Sequence, residues 1–310
     1  LVVKGRWNGE LRGFHYLGAD NYQPDQNGAA PVTHAQLIAH AQAGNPLTWT
    51  VVHPSTMLRH GVDRDMDGIY DYQDGDAELA LTMLLEGPLQ GTQMRTLLHS
   101  AGLLPQTDPQ GSGVVMTQSV MDRLGSAAPV DWVWVELRDA TNSMVVVDER
   151  AAIVQANGKV VMPDGKSPLV FPDAARGNYH VVVRHRNHLG AMTAVALPFG
   201  NGVQVVDLSS PATATYGTDA RKALGDLRVL WAGDVSGDGI LKYTNADNDR
   251  DPILARIGGI TPTGTVAGYH PEDVNLDGVV KYTNADNDRD PILQNIGGII
   301  PTNTREEQLP

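Results

Sequence analysis

The chain contains no cysteine in its 310 residues. Disulfides, cysteine-ligated iron-sulfur clusters, thiolate zinc sites, c-type haem and cysteine nucleophiles are therefore excluded, although the compartment is not identified. Basic residues are also scarce: 23 Lys and Arg stand against 36 Asp and Glu, a net charge of -13. Such an acidic chain suits neither phosphate backbones nor anionic membrane surfaces, so nucleic acid is not an expected partner. No apolar run approaches the roughly 20 residues a bilayer span needs, so no membrane insertion is expected. Aromatics reach only 5%. The sequence also lacks His-Glu-x-x-His, Gly-x-Ser-x-Gly, a P-loop and a Gly-x-Gly-x-x-Gly that opens a helix, and no enzymatic activity is expected. It opens on Leu1 rather than Met, as expected of a mature product or a piece of a longer protein.

What is present is modular. The length suggests two or three domains, and 33 Gly and 19 Pro are spread throughout, as in a loop-rich protein. Lys242 to Leu254 reads KYTNADNDRDPIL, and the same thirteen letters return 39 residues later, from Lys281 to Leu293. Each copy follows an acidic, Gly-containing loop and precedes Ile-Gly-Gly, which makes a unit of loop, insert, short helix and stop. One such unit has little apolar surface, so the two are expected to pack as a pair.

The fold class expected is mainly β: an antiparallel β-sandwich flanked by a small N-terminal α+β calcium-loop unit and a C-terminal loop-helix pair. Strands are expected at 79–85, 132–138, 144–147, 153–161, 180–184 and 203–206, with Asn157-Gly158 and Asp164-Gly165 as turns and a short helix near 94–101. Short strands at short spacing point to a sandwich over 77–225 of the immunoglobulin-like kind. Ahead of it, in 1–76, Thr33 to Gln36 fits a capping box that opens a helix over 33–43, with strands at 11–16 and 49–52 beside it. The repeat pair occupies 226–310.

Residues 63–74 place carboxylates at alternating positions. With Asp63 as loop position 1, Asp65, Asp67, Asp71 and Asp74 fall at 3, 5, 9 and 12, Gly68 at 6 and the Ile69 carbonyl at 7. This is the ligand order of an EF-hand calcium loop, in which hard oxygens surround the ion and Gly permits the sharp turn. Position 12 is Asp rather than Glu. Without a cation, close carboxylate pairs would repel by up to about 4 kcal/mol at 4 Å and an effective dielectric near 20.

The C-terminal loops supply Asp234, Ser236, Asp238 and the Ile240 carbonyl, then Asp273, Asn275, Asp277 and the Val279 carbonyl, at positions 1, 3, 5 and 7. Leu241 and Val280, at position 8, should point into the core. Position 9 is Lys242 or Lys281 and position 12 is Asn245 or Asn284, so the missing acid must come from the insert. Asp247, Asp249 and Asp251 are open in the first copy, and Asp286, Asp288 and Asp290 in the second. Asp249 with Asp251, and Asp288 with Asp290, are preferred, because Pro252 and Pro291 suit a first helical position and the last ligand belongs at the exit-helix start. About three calcium ions are expected, which would take the net charge from -13 to -7.

This pair resembles the dockerin module over about residues 230–300. In dockerins, positions 10 and 11 help contact a cohesin partner, and Tyr243, Thr244, Tyr282 and Thr283 occupy those slots here. More widely, Leu85-Glu-Gly-Pro88, Trp134-Val-Glu-Leu-Arg138, Arg184-His-Arg-Asn-His-Leu-Gly190, Ser210-Pro-Ala-Thr-Ala-Thr-Tyr216, Trp231-Ala-Gly-Asp234 and the repeated Asn-Asp-Arg-Asp-Pro-Ile-Leu resemble a module of large secreted proteins of Bacteroidetes-type bacteria. The first 76 residues resemble a tail of other secreted bacterial proteins, some attached to electron-transfer or hydrolase domains. These resemblances imply an extracellular or cell-surface location. They also imply a non-catalytic structural or adhesion role whose partners are other chains of an extracellular assembly, filament-forming copies of itself, or glycan.

Two further constellations have bland readings as the stronger ones. On one strand His180 and His188 would share a face and His185 the other, which favours hydrogen bonding over a transition-metal site. Trp132 and Trp134 share a strand face, as core packing or as a platform for sugar rings. The alternatives kept are an accessory region of a secreted enzyme and a carbohydrate-binding module.

Overall fold

Thr33 begins the first helix by the mechanism its sequence announces. Its hydroxyl accepts from the Gln36 N–H at 3.3 Å, while the Gln36 side chain accepts the Thr33 N–H at 2.8 Å. The structure is a computed structural model that describes all residues except Asp65, Asp67, Ile69, 73–75 and Asn201. Among the described residues it divides into two compact units.

The first unit comprises Leu1–Ala77 with the short segments Pro172–Gly177 and Phe199–Gly202. Strands β1 (Val2–Trp7), β2 (Glu10–Gly18), β3 (Asn21–Pro24), β4 (Val32–Thr33) and, after helix α1 (His34–Gln42), β5 (Leu47–Thr50) form one antiparallel sheet in the order β4-β3-β2-β1-β5. Helix α2 (Met57–Gly61) packs on β1 and β2. The approach is close enough that a Cβ on Gly13 would stand 1.9 Å from the Gly61 carbonyl oxygen. Val3, Phe14, Tyr22 and Leu37 make a small core.

The second unit is Glu78–Phe171, Asn178–Pro198 and Val203–Pro310, so the expected boundary near 225 falls inside it. Its elements begin with β6 (Ala77–Thr82), a short hairpin β7 (Leu89–Gln90) and β8 (Gln93–Met94), and helices α3 (Leu97–Ser100) and α4 (Gln118–Met121). Then come β9 (Pro129–Asp139), β10 (Val146–Gln155), β11 (Lys159–Val161), β12 (Leu169–Phe171), β13 (Gly177–His185), β14 (His188–Met192), β15 (Leu197–Phe199) and β16 (Gln204–Asp207). These eight strands and β6 make one nine-stranded sheet, β12-β6-β11-β10-β9-β13-β14, with β15 beside β13 and β16 parallel to β6. Chain turns fall where the sequence places them: Gly158, at φ +83°, closes the β10–β11 hairpin.

Every residue of β9 from Pro129 to Arg138 is buried, which requires cover on both faces. Trp132 is fully buried and its indole N–H donates to the Pro105 carbonyl at 2.8 Å, and Trp134 is 5% exposed. The pair is therefore core and not an exposed sugar platform. Met144 and Val145, expected on a strand, lie exposed in the turn before β10.

The repeats follow as β17 (Lys222–Leu224), β18 (Leu227–Val229), β19 (Ile240–Lys242), α5 (Arg250–Arg256), β20 (Thr265–Ala267), β21 (Val279–Lys281), α6 (Arg289–Asn295) and β22 (Thr304–Glu306). Val235, Ile253 and Ile257 of the first copy share one buried cluster with Val274, Val280 and Ile292 of the second, so neither is closed without the other. Leu241 and Val280 are fully buried, as position 8 requires. Pro252 and Pro291 stand third in their helices rather than first, tolerated there because the first-turn N–H groups have no partner inside the helix.

Candidate ion-binding loops

Each C-terminal loop folds around two buried carboxylates, one from its first position and one from the start of its exit helix. In the first, Asp234 Oδ2 accepts the Gly239 N–H at 3.2 Å, whereas Asp234 Oδ1 is buried with no hydrogen-bond partner. Asp249 is fully buried and accepts from Ser236 N at 3.0 Å and Lys242 N at 2.8 Å, which straps the helix start across the loop. Asp238 Oδ1 accepts from Ile240 N at 2.9 Å.

The second loop repeats the arrangement. Asp273 accepts from Gly278 N at 2.8 Å and Asp277 N at 3.0 Å. Asp288 Oδ1 accepts from Val274 N and Asn275 N, and its Oδ2 from Lys281 N at 2.8 Å. Asn275 Oδ1 takes the Asp277 N–H at 2.8 Å, and Val279 N donates to Asp277 Oδ1.

Electrostatics set these residues apart. Burial, then the charge of Asp249, pushes the Asp234 carboxyl up to about 7. Burial raises Asp249, and lifts Asp273 to about 6 and Asp288 to about 8. Among the described residues none of these four carboxylates has an ion-pair partner. The position-9 lysines reach only the position-5 acids, Lys242 to Asp238 at 3.2 Å and Lys281 to Asp277 at 2.9 Å. Buried charge without a counter-ion is costly. A divalent cation would compensate it, and the unpartnered Asp234 oxygen fits a ligand role.

Also among the described residues, no three His, Cys, Asp or Glu side chains gather as a metal cluster. A complete sphere would need the Ser236 hydroxyl, the Asn275 amide, the position-5 carboxylates and the Ile240 and Val279 carbonyls, the oxygen chemistry calcium accepts.

Asp251 and Asp290 are turned elsewhere. Asp251 Oδ2 accepts from Asn248 at 2.9 Å and its Oδ1 pairs with Arg250, while Asp290 does the same with Asn287 and Arg289. The Asn248 hydrogen bond holds Asp251 below its ordinary value. Asp247 and Asp286 are exposed at φ +54° and +55°. Of the insert acids, then, only Asp249 and Asp288 join the loops. In the first unit, Asp63 accepts from Met66 N at 2.7 Å and Gly68 N at 3.3 Å, and Asp71 from Arg64 N at 2.7 Å. Asp65, Asp67, Ile69 and Asp74 lie outside the described residues.

Positions 10 and 11 serve the pair itself. Thr244 donates to the Pro301 carbonyl and Thr283 to the Pro262 carbonyl, so each repeat grips the tail of the other. Tyr243 and Tyr282 pack on the shared core beneath Arg250 and Arg289.

Asn187, fully buried, was not singled out by the sequence. Its side chain donates to the Pro271 and Asp273 carbonyls, and its own carbonyl accepts from Gly233 N and Asp234 N, so one residue touches the first position of both loops. Its neighbours correct the single-strand view of the histidines, because the chain reverses between β13 and β14. His185 and His188 therefore meet, Nδ1 to Nδ1 at 3.0 Å, while His180 binds the Thr193 carbonyl. His185 Nε2 faces buried Asp131 at 3.2 Å and His188 Nε2 accepts from Gly87 N at 3.1 Å, which fixes both rings as hydrogen-bonding groups. Burial lowers both histidines. Asp131 also receives Tyr269 and Arg186; against the burial that would raise it, Arg186 and His185 hold it down to about 2.

Comparison of the chain with family models, curated proteins and solved structures returns no match.

Proposed function

We propose that this chain is a non-catalytic, calcium-stabilised structural region of a secreted or cell-surface bacterial protein that acts in assembly, anchoring or adhesion. The observation that carries the reading is the pairing of buried carboxylates in both C-terminal loops, none of them ion-paired among the described residues, with the Asp234 oxygen left without a hydrogen-bond partner. Calcium would act by cancelling that charge and coupling ion binding to folding, so that millimolar-range extracellular calcium holds the loops shut. On this reading the nine-stranded sheet is the sandwich core of the region, and the repeats form a dockerin-like pair built onto it. Since Thr244 and Thr283 are engaged between the repeats, the partner surface would lie elsewhere than in a dockerin. The partners proposed are other chains of an extracellular assembly or further copies of this one. With Trp132 and Trp134 buried, the glycan-binding alternative has lost the feature that suggested it.

Isothermal titration of chelator-treated protein tests the reading. Two ions bound by the C-terminal loops, with a higher melting temperature in calcium than in chelator, are the expected outcome. Identical melting under both conditions would refute it.

A further inference from the structure

The chain has no cysteine, yet the structure brings together three side chains able to form a different covalent cross-link. Lys222 of β17, Glu86 from the segment after β6, and Asn295 at the end of α6 make a closed triangle. Lys222 Nζ lies 2.5 Å from Glu86 Oε1 and 2.7 Å from Asn295 Oδ1, and Asn295 Nδ2 donates to Glu86 Oε2 at 2.7 Å. The amine faces the amide carbonyl, and one carboxylate touches both reacting groups.

The surroundings fix each member. Asn295 is 1% exposed, and its amide also donates to the Ala232 carbonyl at 2.8 Å, which holds the plane of the group. Glu86 Oε2 is further held by Ala232 N at 3.0 Å. The indole of Trp231 covers one side, its ring centre 5.3 Å from Lys222 Nζ. Asn295 is also where the repeats part company. The first copy has Arg256 at the corresponding place and pairs it with Glu272, so the triangle belongs to the second repeat alone.

We propose that Lys222 and Asn295 become joined by an intramolecular amide bond, with Glu86 as the catalytic proton carrier. Glu86 takes a proton from the Lys222 ammonium, and the freed amine adds to the Asn295 Cγ. As the Cγ–Nδ2 bond breaks, Glu86 returns that proton to Nδ2, and the proton still carried by Nζ passes through the same carboxylate to the departing ammonia. One Nζ–Cγ bond forms, one Cγ–Nδ2 bond breaks and one ammonium ion leaves; no oxidant, cofactor or second substrate is required. Reactants held in contact gain the large effective concentration of intramolecular reactions. The product would tie the β17–β18 hairpin to the helix of the second ion loop and close the chain from 222 to 295, constraining the unfolded state as a disulfide does. The bond rests on the triangle alone and not on calcium binding.

Intact-mass spectrometry of the purified full chain tests this. The expected mass is below the sequence mass by one ammonia, and proteolysis should yield a branched peptide that links Lys222 to Asn295. Glu86→Gln and Lys222→Arg should both return the full mass and migrate more slowly on a denaturing gel. Full mass in the unsubstituted chain overturns the proposal without recourse to any variant. So does loss of ammonia with Lys222 and Asn295 in separate peptides, the mark of a cyclised asparagine without a cross-link.

Discussion

The side-chain amide of Asn187 lies 2.7 Å from the carbonyl oxygen of Asp273, the first residue of the second acidic loop, while the Asn187 carbonyl accepts the N–H of Asp234, the first residue of the other. One buried residue of the turn between β13 and β14, outside the repeats themselves, thus contacts the first position of both loops.

Asn187→Ala leaves the buried carbonyl of Asp273 without its side-chain donor, and takes the same donor from the partly exposed carbonyl of Pro271. An unsatisfied buried polar group costs about 1–3 kcal/mol, so urea unfolding should move to a lower midpoint by roughly that amount. Calcium affinity should weaken in the second loop. An unchanged midpoint would mean that water replaces the lost donors.

The raised carboxylates predict an inverted pH response. An aspartate titrates near 3.9 when unfolded. Those of Asp234, Asp273 and Asp288 lie at about 7, 6 and 8 in the ion-free fold. Their contribution is therefore full below about pH 4 and is lost as pH rises through about 6 to 8. His185 and His188, lowered by burial, act in the opposite sense, with stability lost as pH falls below about 6.5. Subtracting the melting temperature in chelator from that in calcium cancels the histidines. The difference should grow between about pH 5 and pH 8, and a flat difference would count against ligation by these carboxylates.

Asp249 and Asp251 stand two residues apart and should behave differently. Asp249→Asn should remove the first-loop ion, read as one fewer calcium per chain by titration. Asp251→Asn touches a side chain 59% exposed and paired with Arg250 on the surface, and it should shift stability by less than about 1 kcal/mol with ion count unchanged. Equal effects would contradict the assignment of ligands.

Gly87→Ala should disturb the second loop from outside. A Cβ there would stand 2.1 Å from the Val274 carbonyl oxygen, a contact with backbone that cannot swing aside. Overpacking of this kind costs about 1–3 kcal/mol. The loss should appear in thermal unfolding, with reduced protection of the Val274 and Asn275 amides in hydrogen exchange.

The parts legible in the sequence were those governed by neighbours along the chain. Thr33 and Gln36 meet within one helical turn, Asn157-Gly158 needs only its own backbone to reverse, and Leu241 and Val280 follow from loop phase. Asp249 and Asp288 were within reach, since each lies where its exit helix starts. Taking Pro252 and Pro291 as first helical residues places Asp251 and Asp290 at the caps, whereas the helices begin two residues earlier, at Arg250 and Arg289.

The order of oxygen donors, the duplication and the mainly β composition were determined by the sequence alone, because each depends on spacings short enough for local stereochemistry to dictate. The tertiary structure decided the rest. The burial of Trp132 and Trp134, the meeting of His185 with His188, the bridging by Asn187 and the triangle of Glu86, Lys222 and Asn295 join residues up to 209 positions apart. No local periodicity records such contacts, which arise when the sheet and the repeats close a common core and each buried polar group must find a partner within it.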